Sequence, residues 1–206
     1  MGVEELTHRE RKKQRTRELI VERAMALFDE RGFEHVPIAE IAAAADIAPR
    51  TFFSYFPSKE DVVFHDFDVI LDALTRRIAE RGDGESTIDA LRAFIVELLA
   101  QVDHDDPAQQ CRRRVIRGSP ALQQHDRELM SRIEVAIADG LAQDLGAPPD
   151  SLRARVVAAA AAAGLGELEQ YMDKDNPPDD KMSMFDEAFV FIRGGVEALQ
   201  RHPAPS

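Results

Sequence analysis

The 206-residue chain has no tryptophan, two tyrosines and a single cysteine, Cys111. One thiol excludes an internal disulfide framework and suits a reducing compartment, so the expected location is the cytoplasm. Two-residue alternation is absent as well. No clean apolar–polar repeat is bounded by turns, which argues against a sheet. Apolar runs are short: none approaches the roughly 20 residues of a membrane span, and the charged N-terminus does not read as a signal peptide. No Gly-x-Ser-x-Gly, phosphate-binding loop or Cys/His metal spacing occurs. A di-iron bundle would need paired Glu-x-x-His motifs on core helices. The one such motif, Glu5 to His8, lies near the N-terminus, and His35, His65, His104 and His125 stand singly. Neither an enzyme nor a metal or cofactor is expected.

What is present favours helices. Hydrophobic residues make up 44% of the chain, enough for a core, and Ala, Leu, Arg and Glu are abundant. The expected class is all-α. The net charge of −12 speaks against a polyanionic partner until its distribution is read. Residues 1–17 hold six basic residues (Arg9, Arg11, Lys12, Lys13, Arg15, Arg17) against three acidic ones, and the remainder has 20 basic and 35 acidic. Positive charge is gathered at one end.

Residues 32–59 follow that basic end. Ile38, Ile41, Ala42 and Ala45 recur at helical spacing, Ile47 follows as a plug, and Phe52 and Phe56 share one face of a second short helix. Pro49, Arg50, Phe53 and Ser54 then point away from the core, with Thr51 and Tyr55 on the flanks. Pro49 suits a first helical turn, Pro57 stops the helix, and Ser58 with Asp61 reads as the next cap. Such a helix-turn-helix places side chains in the major groove of duplex DNA. An ordinary helical hairpin would not call for an outward Arg50–Thr51 pair beside a basic arm.

Gly32-Phe33, Ile38, Ile41-Ala42, Ala45, Ile47, Thr51, Tyr55-Phe56 and Pro57-Ser58-Lys59 resemble the TetR family of bacterial transcriptional regulators. The likeness covers about the first third of the chain. It implies a DNA-reading surface of Ala48, Pro49, Arg50, Thr51, Phe53, Ser54 and Tyr55, with Arg15, Arg17, Pro37 and Lys59 on the phosphate side. Pro37, Asp46, Ala48 and Phe53 depart from the usual Thr, Gly, Ser and Tyr. Pro37 loses a phosphate contact, Asp46 must tolerate a left-handed turn, and Ala48 lacks a cap worth about 1 kcal/mol. The resemblance also implies nine helices, three in a head and six in a body. The expected division is a basic flexible arm at 1–12, a helix-turn-helix domain at 13–73 and an effector-binding and dimerisation domain at 74–206.

Along the chain, the first helix is expected over about 11–31, with Ile20, Ala24, Leu27 and Phe28 as its stripe and Gly32 at its end. A fourth runs from Ser58 to about Arg81, a fifth over 87–102, a sixth from Asp106-Pro107 and a seventh from Ser119-Pro120. The eighth, capped by Asp150, reaches about Lys174. After the Asn176-Pro177-Pro178 loop the ninth covers about 180–201. Val157, Ala161, Gly164, Leu168 and Tyr171 on the eighth helix form one stripe, and Phe185, Phe189, Ile192, Val196 and Leu199 on the ninth form another. They read as a homodimer seam or as each body's own core. Close helix approach is the expected reason for Gly194-Gly195.

By family resemblance a small hydrophobic or acyl-CoA-like effector would sit among helices four to eight and relieve binding to a palindromic operator. Phe64, Phe67, Phe94, Leu98, Leu122, Leu129 and Leu165 are its candidate lining, Val115 with them, though plain core is the more common role for each. Arg113 and Arg117, in the run Cys111-Arg112-Arg113-Arg114, are the candidate anion site, with surface ion pairs as the alternative. The expected partners are duplex DNA, a second copy and that effector, with no membrane.

Overall fold

The computed structural model describes residues 7–101, 106–148, 150–172 and 181–201, the side chains of 169–172 and 181–182 excepted. Residues 1–6 of the expected arm, Val102, His104, the side chain of Tyr171 and the 174–180 loop lie outside them. Among the described residues there are ten α-helices and no strand: α1 (His8–Arg31), α2 (Ile38–Ala44), α3 (Pro49–Phe52), α4 (Glu60–Val63), α5 (Phe67–Ala79), α6 (Thr87–Gln101), α7 (Pro107–Gly118), α8 (Pro120–Asp144), α9 (Leu152–Met172) and α10 (Lys181–Arg201). A 3-10 turn, Phe33–His35, joins α1 to α2.

Local chemistry sets most of the helix ends. Thr7 and Glu10 form a reciprocal capping box at the start of α1, so the basic stretch from Arg9 lies on a capped helix rather than on a loose arm. Gly32, at φ 80°, ends α1. Ser58 accepts from the Asp61 amide and donates to the Asp61 carboxylate. Ser86 does the same with Asp89. Asp106 caps α7 through the Ala108 amide, and Ser119 accepts from Leu122 N–H at the start of α8. The residue before α9 is Ser151, not Asp150.

The expected fourth helix is two helices. It breaks at Phe64-His65-Asp66, where the His65 carbonyl leaves the helical ladder to accept from Arg17 Nη2 at 2.6 Å. Phe64, with φ −104° and ψ 33°, ends α4.

The chain forms two compact units, one from Met1–Phe67 with Val102–Arg127, the other from Asp68–Gln101 with Glu128–Ser206. The first therefore takes in α7 and the start of α8 as well as the helix-turn-helix, a division not expected from the sequence. Arg114 forks onto Asp29 of α1 at 2.8 and 3.1 Å, and Arg112 onto Asp66 with both bonds at 2.8 Å. Ser119 Oγ donates to Glu34 at 2.6 Å. These contacts hold α7 against residues that precede it by 46 to 85 positions.

The second unit is built around Leu74, Ile78, Ile88, Leu91, Ile137 and Leu141, with α9 and α10 closing it. Here the expected dimer seam is corrected. Val157, Ala161, Phe185, Phe189, Ile192 and Val196 are buried in this unit's own core, and Leu168 packs against it. Gly164 is half-buried, and a Cβ added there would meet no atom within 4 Å. Helical spacing identifies a covered face without saying which surface covers it. Gly194 and Gly195 likewise face open space within the chain, so close approach by a neighbouring helix of the same chain does not explain them.

Two arginines tie α6 to α10: Arg92 binds Asp186 at 2.6 and 3.0 Å, and Arg193 binds Asp89. Arg81 binds Asp144 at 2.8 Å, while the other Asp144 oxygen accepts from the Thr87 amide at 2.7 Å. Gly140 sits beside this contact. A Cβ there would lie 2.7 Å from Ile78 Cγ2 and 2.8 Å from Thr87. Overpacking of that kind costs about 1–3 kcal/mol, which outweighs the roughly 1 kcal/mol alanine gains over glycine in a helix. Gly140→Ala is expected to lower the urea midpoint of unfolding without changing the slope.

Candidate nucleic-acid interface

The turn between α2 and α3 begins with Ala45, whose amide bonds the Ile41 carbonyl at 3.0 Å. Asp46 follows at φ 54°, in the left-handed region that its short polar side chain tolerates. The Ile47 amide then returns to Ala42 O at 2.9 Å. Ala48 is the N-cap of α3 and offers no side-chain bond, and Pro49 occupies the first turn. Regular α-helix ends at Phe52, sooner than expected. Bonds from Ser54 to Thr51 O and from Tyr55 and Phe56 to Phe52 O continue the coil to Pro57.

Phe52 is 0% exposed and Phe56 1%, their rings 5.9 Å apart. On the opposite side Ala48, Pro49, Arg50, Phe53 and Ser54 are exposed, with Thr51 and Tyr55 half-buried. Phe53 is 55% exposed. An open groove of about 560 Å3 adjoins it, lined in part by Pro37, Ile38, Pro57 and Lys59. Pro37 caps α2 with its carbonyl alone.

Two of the expected phosphate contacts have intramolecular partners. Lys59 Nζ donates to Phe33 O at 2.8 Å and lies 4.1 Å from the Phe33 ring centre. Its ammonium thus pins the turn after Gly32 to the start of α4. Arg17 lies 4.8 Å over the Phe56 ring while binding the His65 carbonyl. It braces the segment that follows α3 from behind. Sequence spacing carried no signal for either contact, because each partner is 26 or 48 residues away. Arg15, by contrast, is exposed, as are Arg9, Arg11, Lys12 and Lys13.

The expected effector lining is divided. Phe64, Phe67, Arg113, Leu122 and Arg117 belong to the first unit, and Phe94, Leu98, Leu129 and Leu165 to the second. Phe64, Phe67, Leu122, Leu129 and Val115 are buried core side chains. Phe94, Leu98 and Leu165 are half-buried. In the arginine run, Arg112 and Arg114 serve ion pairs with Asp66 and Asp29.

Around the break between α4 and α5 the charges are coupled. Burial pushes the His65 imidazole below its ordinary pKa; Arg112 and Arg17 add to this, while Asp66 opposes it. Burial alone would raise Asp66, but hydrogen bonds and charge from Arg112 outweigh it and hold the carboxyl low. Asp126 is raised by burial, and His125 packs on Phe64 at 5.3 Å between centroids.

Residues 20–65 match the family model for bacterial regulatory proteins of the tetR family, and residues 85–197 match that for the MftR C-terminal domain. The HTH-type transcriptional regulator TcmR of Streptomyces glaucescens is 28% identical over 207 residues, spanning 95% of this chain and 90% of its own. MftR of Mycobacterium tuberculosis, described as a proposed mycofactocin biosynthesis transcriptional regulator, is 30% identical over 142 residues, 66% of this chain and 68% of its own. Among solved structures, Thermus thermophilus FadR, a TetR-family repressor in complex with lauroyl-CoA, superposes with a TM-score of 0.59 at 22% identity, covering 92% and 99% of the two chains.

A histidine whose folded pKa is depressed stabilises above its unfolded value, and that contribution is lost as pH falls toward the folded pKa. Thermal melts of the wild type are therefore expected to decline as pH drops below about 6.5, the ordinary histidine value. His65→Gln is expected to flatten that decline, leaving the acid limb governed by Asp66 and the other carboxylates.

Proposed function

The chain belongs to the TetR family of bacterial regulatory proteins, and from that premise we propose that this DNA-binding transcriptional regulator is a homodimeric repressor, released from a palindromic operator by a small, largely apolar effector. The observation that carries the reading is the exposed face of Pro49, Arg50, Phe53 and Ser54 opposite buried Phe52 and Phe56. Arg50 stands in the first turn, where a guanidinium can reach the O6 and N7 of guanine. The exposed cations on the first turns of α1 supply the phosphate attraction. Arg17 contributes by bracing the reading helix, and Lys59 by tying the turn after α1 to the start of α4.

One recognition helix reads few base pairs, so a two-fold dimer supports useful specificity. The surface that supports self-association is the outer side of α9 and α10. Leu152, Val156, Val190 and Phe191 are exposed there, Phe191 by 80%, and Gly194 and Gly195 leave room for a close neighbour. Large apolar side chains left exposed favour a partner surface. The effector is proposed to use the half-buried side chains of Phe94, Leu98 and Leu165 in the second unit. The lauroyl-CoA held by Thermus FadR supports an acyl-CoA-like ligand as the first chemistry to test.

Footprinting of the upstream DNA, followed by binding to the protected duplex over a range of salt, tests the core of this reading. Failure to retain any duplex at low ionic strength would end it. Arg50→Ala is expected to cost about 1–3 kcal/mol at one base pair per half-site. Arg15→Ala should weaken all sequences alike and lower the salt slope by about 1, whereas Lys59→Met should leave that slope unchanged and lower the melting temperature. Phe191→Glu is expected to give a monomer by analytical ultracentrifugation with much weaker operator binding, and a dimer in that variant would place the interface elsewhere. Isothermal titration with lauroyl-CoA that gives no heat, together with unchanged operator affinity, would remove the acyl-CoA assignment.

A further inference from the structure

Opposite buried Phe52 and Phe56 the first unit carries an exposed phenyl ring that phosphate contacts leave without a use. Phe53 is 55% exposed although apolar. Its ring stands edge-on to Phe52, with centroids 5.6 Å apart and planes at 87°. Phe52 is itself fully buried, so the contact limits the positions open to the Phe53 ring. The groove beside it presents the apolar Pro37, Ile38 and Pro57 together with the charged Glu34, Lys59 and Glu60. A phenyl ring cannot hydrogen-bond a phosphate oxygen, and burying it against one would strip water from the charge for no return.

Phe53 follows Arg50 by three residues and so shares its helix face. That places the ring next to the side chain best suited to a base edge. In the major groove each base pair displays donors and acceptors, and the one apolar group is the C5 methyl of thymine. We propose that Phe53 is a specificity-determining residue that packs on a thymine methyl neighbouring the base pair read by Arg50. The proposal rests on the DNA-binding reading above and adds to it a second readable position of defined chemistry. Methyl recognition depends on contact area, so its signature is independent of salt and confined to one thymine per half-site.

The experiment replaces each thymine of the footprinted operator in turn by deoxyuridine, which removes the methyl and keeps the pairing. Burial of one methyl corresponds to a change in affinity of about fourfold. The wild type is expected to lose three- to fivefold, as an order of magnitude, at one thymine in each half-site. Phe53→Ala is expected to bind the thymine and deoxyuridine operators equally at that position. Phe53→Leu, which keeps apolar bulk, should retain part of the preference and supplies the same comparison if the alanine variant melts early. A deoxyuridine effect that persists undiminished in both variants overturns the proposal, as does a wild type that binds its operator and ignores every methyl deletion. Neither of those results touches the DNA-binding reading, which fails only if the wild type retains no duplex at all.

Discussion

Burial of Phe52 and Phe56 is the constraint on which the proposed reading surface depends. α3 has four residues of regular helix, an N-cap without a side-chain acceptor and a left-handed aspartate two residues before that cap. Such a segment cannot maintain itself, since a single helical turn costs more to nucleate than its bonds return. Each buried phenylalanine contributes about 1.5–3 kcal/mol, and the cation of Arg17 lies over the Phe56 ring. Tertiary packing, not helix propensity, therefore sets which way Arg50 and Phe53 face.

The same first unit shows how an acidic chain keeps a basic edge. Several of its cations are occupied within the chain: Arg17 by a carbonyl, Lys59 by another, Arg31 by Glu40, Arg112 and Arg114 by aspartates. Positive charge remains available on the first turns of α1, next to the helix-turn-helix in sequence. Asp66 and Arg112 meet at the break between α4 and α5, whose His65 carbonyl is held by Arg17. Arg17 thus contacts both that break and the ring behind the reading helix, an arrangement suited to keeping the two in step.

Much of the local structure was legible in residue order. Gly32, Asp46, Ser58, Ser86, Asp106 and Ser119 stand where their chemistry demands a turn or a cap. The inward Phe52–Phe56 pair and the outward Arg50 followed from a four-residue spacing. Less legible were contacts between distant segments. A helix over 58–81 satisfies local periodicity, and only the bond from Arg17, 48 residues earlier, marks where it parts. The arginines of α7 read as surface ion pairs or as an anion site, and Asp29 and Asp66 are found only in the fold beside two of them.

The amino-acid order by itself determined the helical class, the positions of most helix ends and which residues of α3 share a face. Each of these follows from interactions within a few residues, where backbone geometry fixes who can meet. Tertiary structure decided the rest. It showed that most of the stripe residues on α9 and α10 are buried by the second unit's own core, that Lys59 and Arg17 brace the fold, and that α7 packs against α1. Periodicity tells that a surface is covered, and a charge tells that it needs a partner; only the folded chain supplies the identity of either.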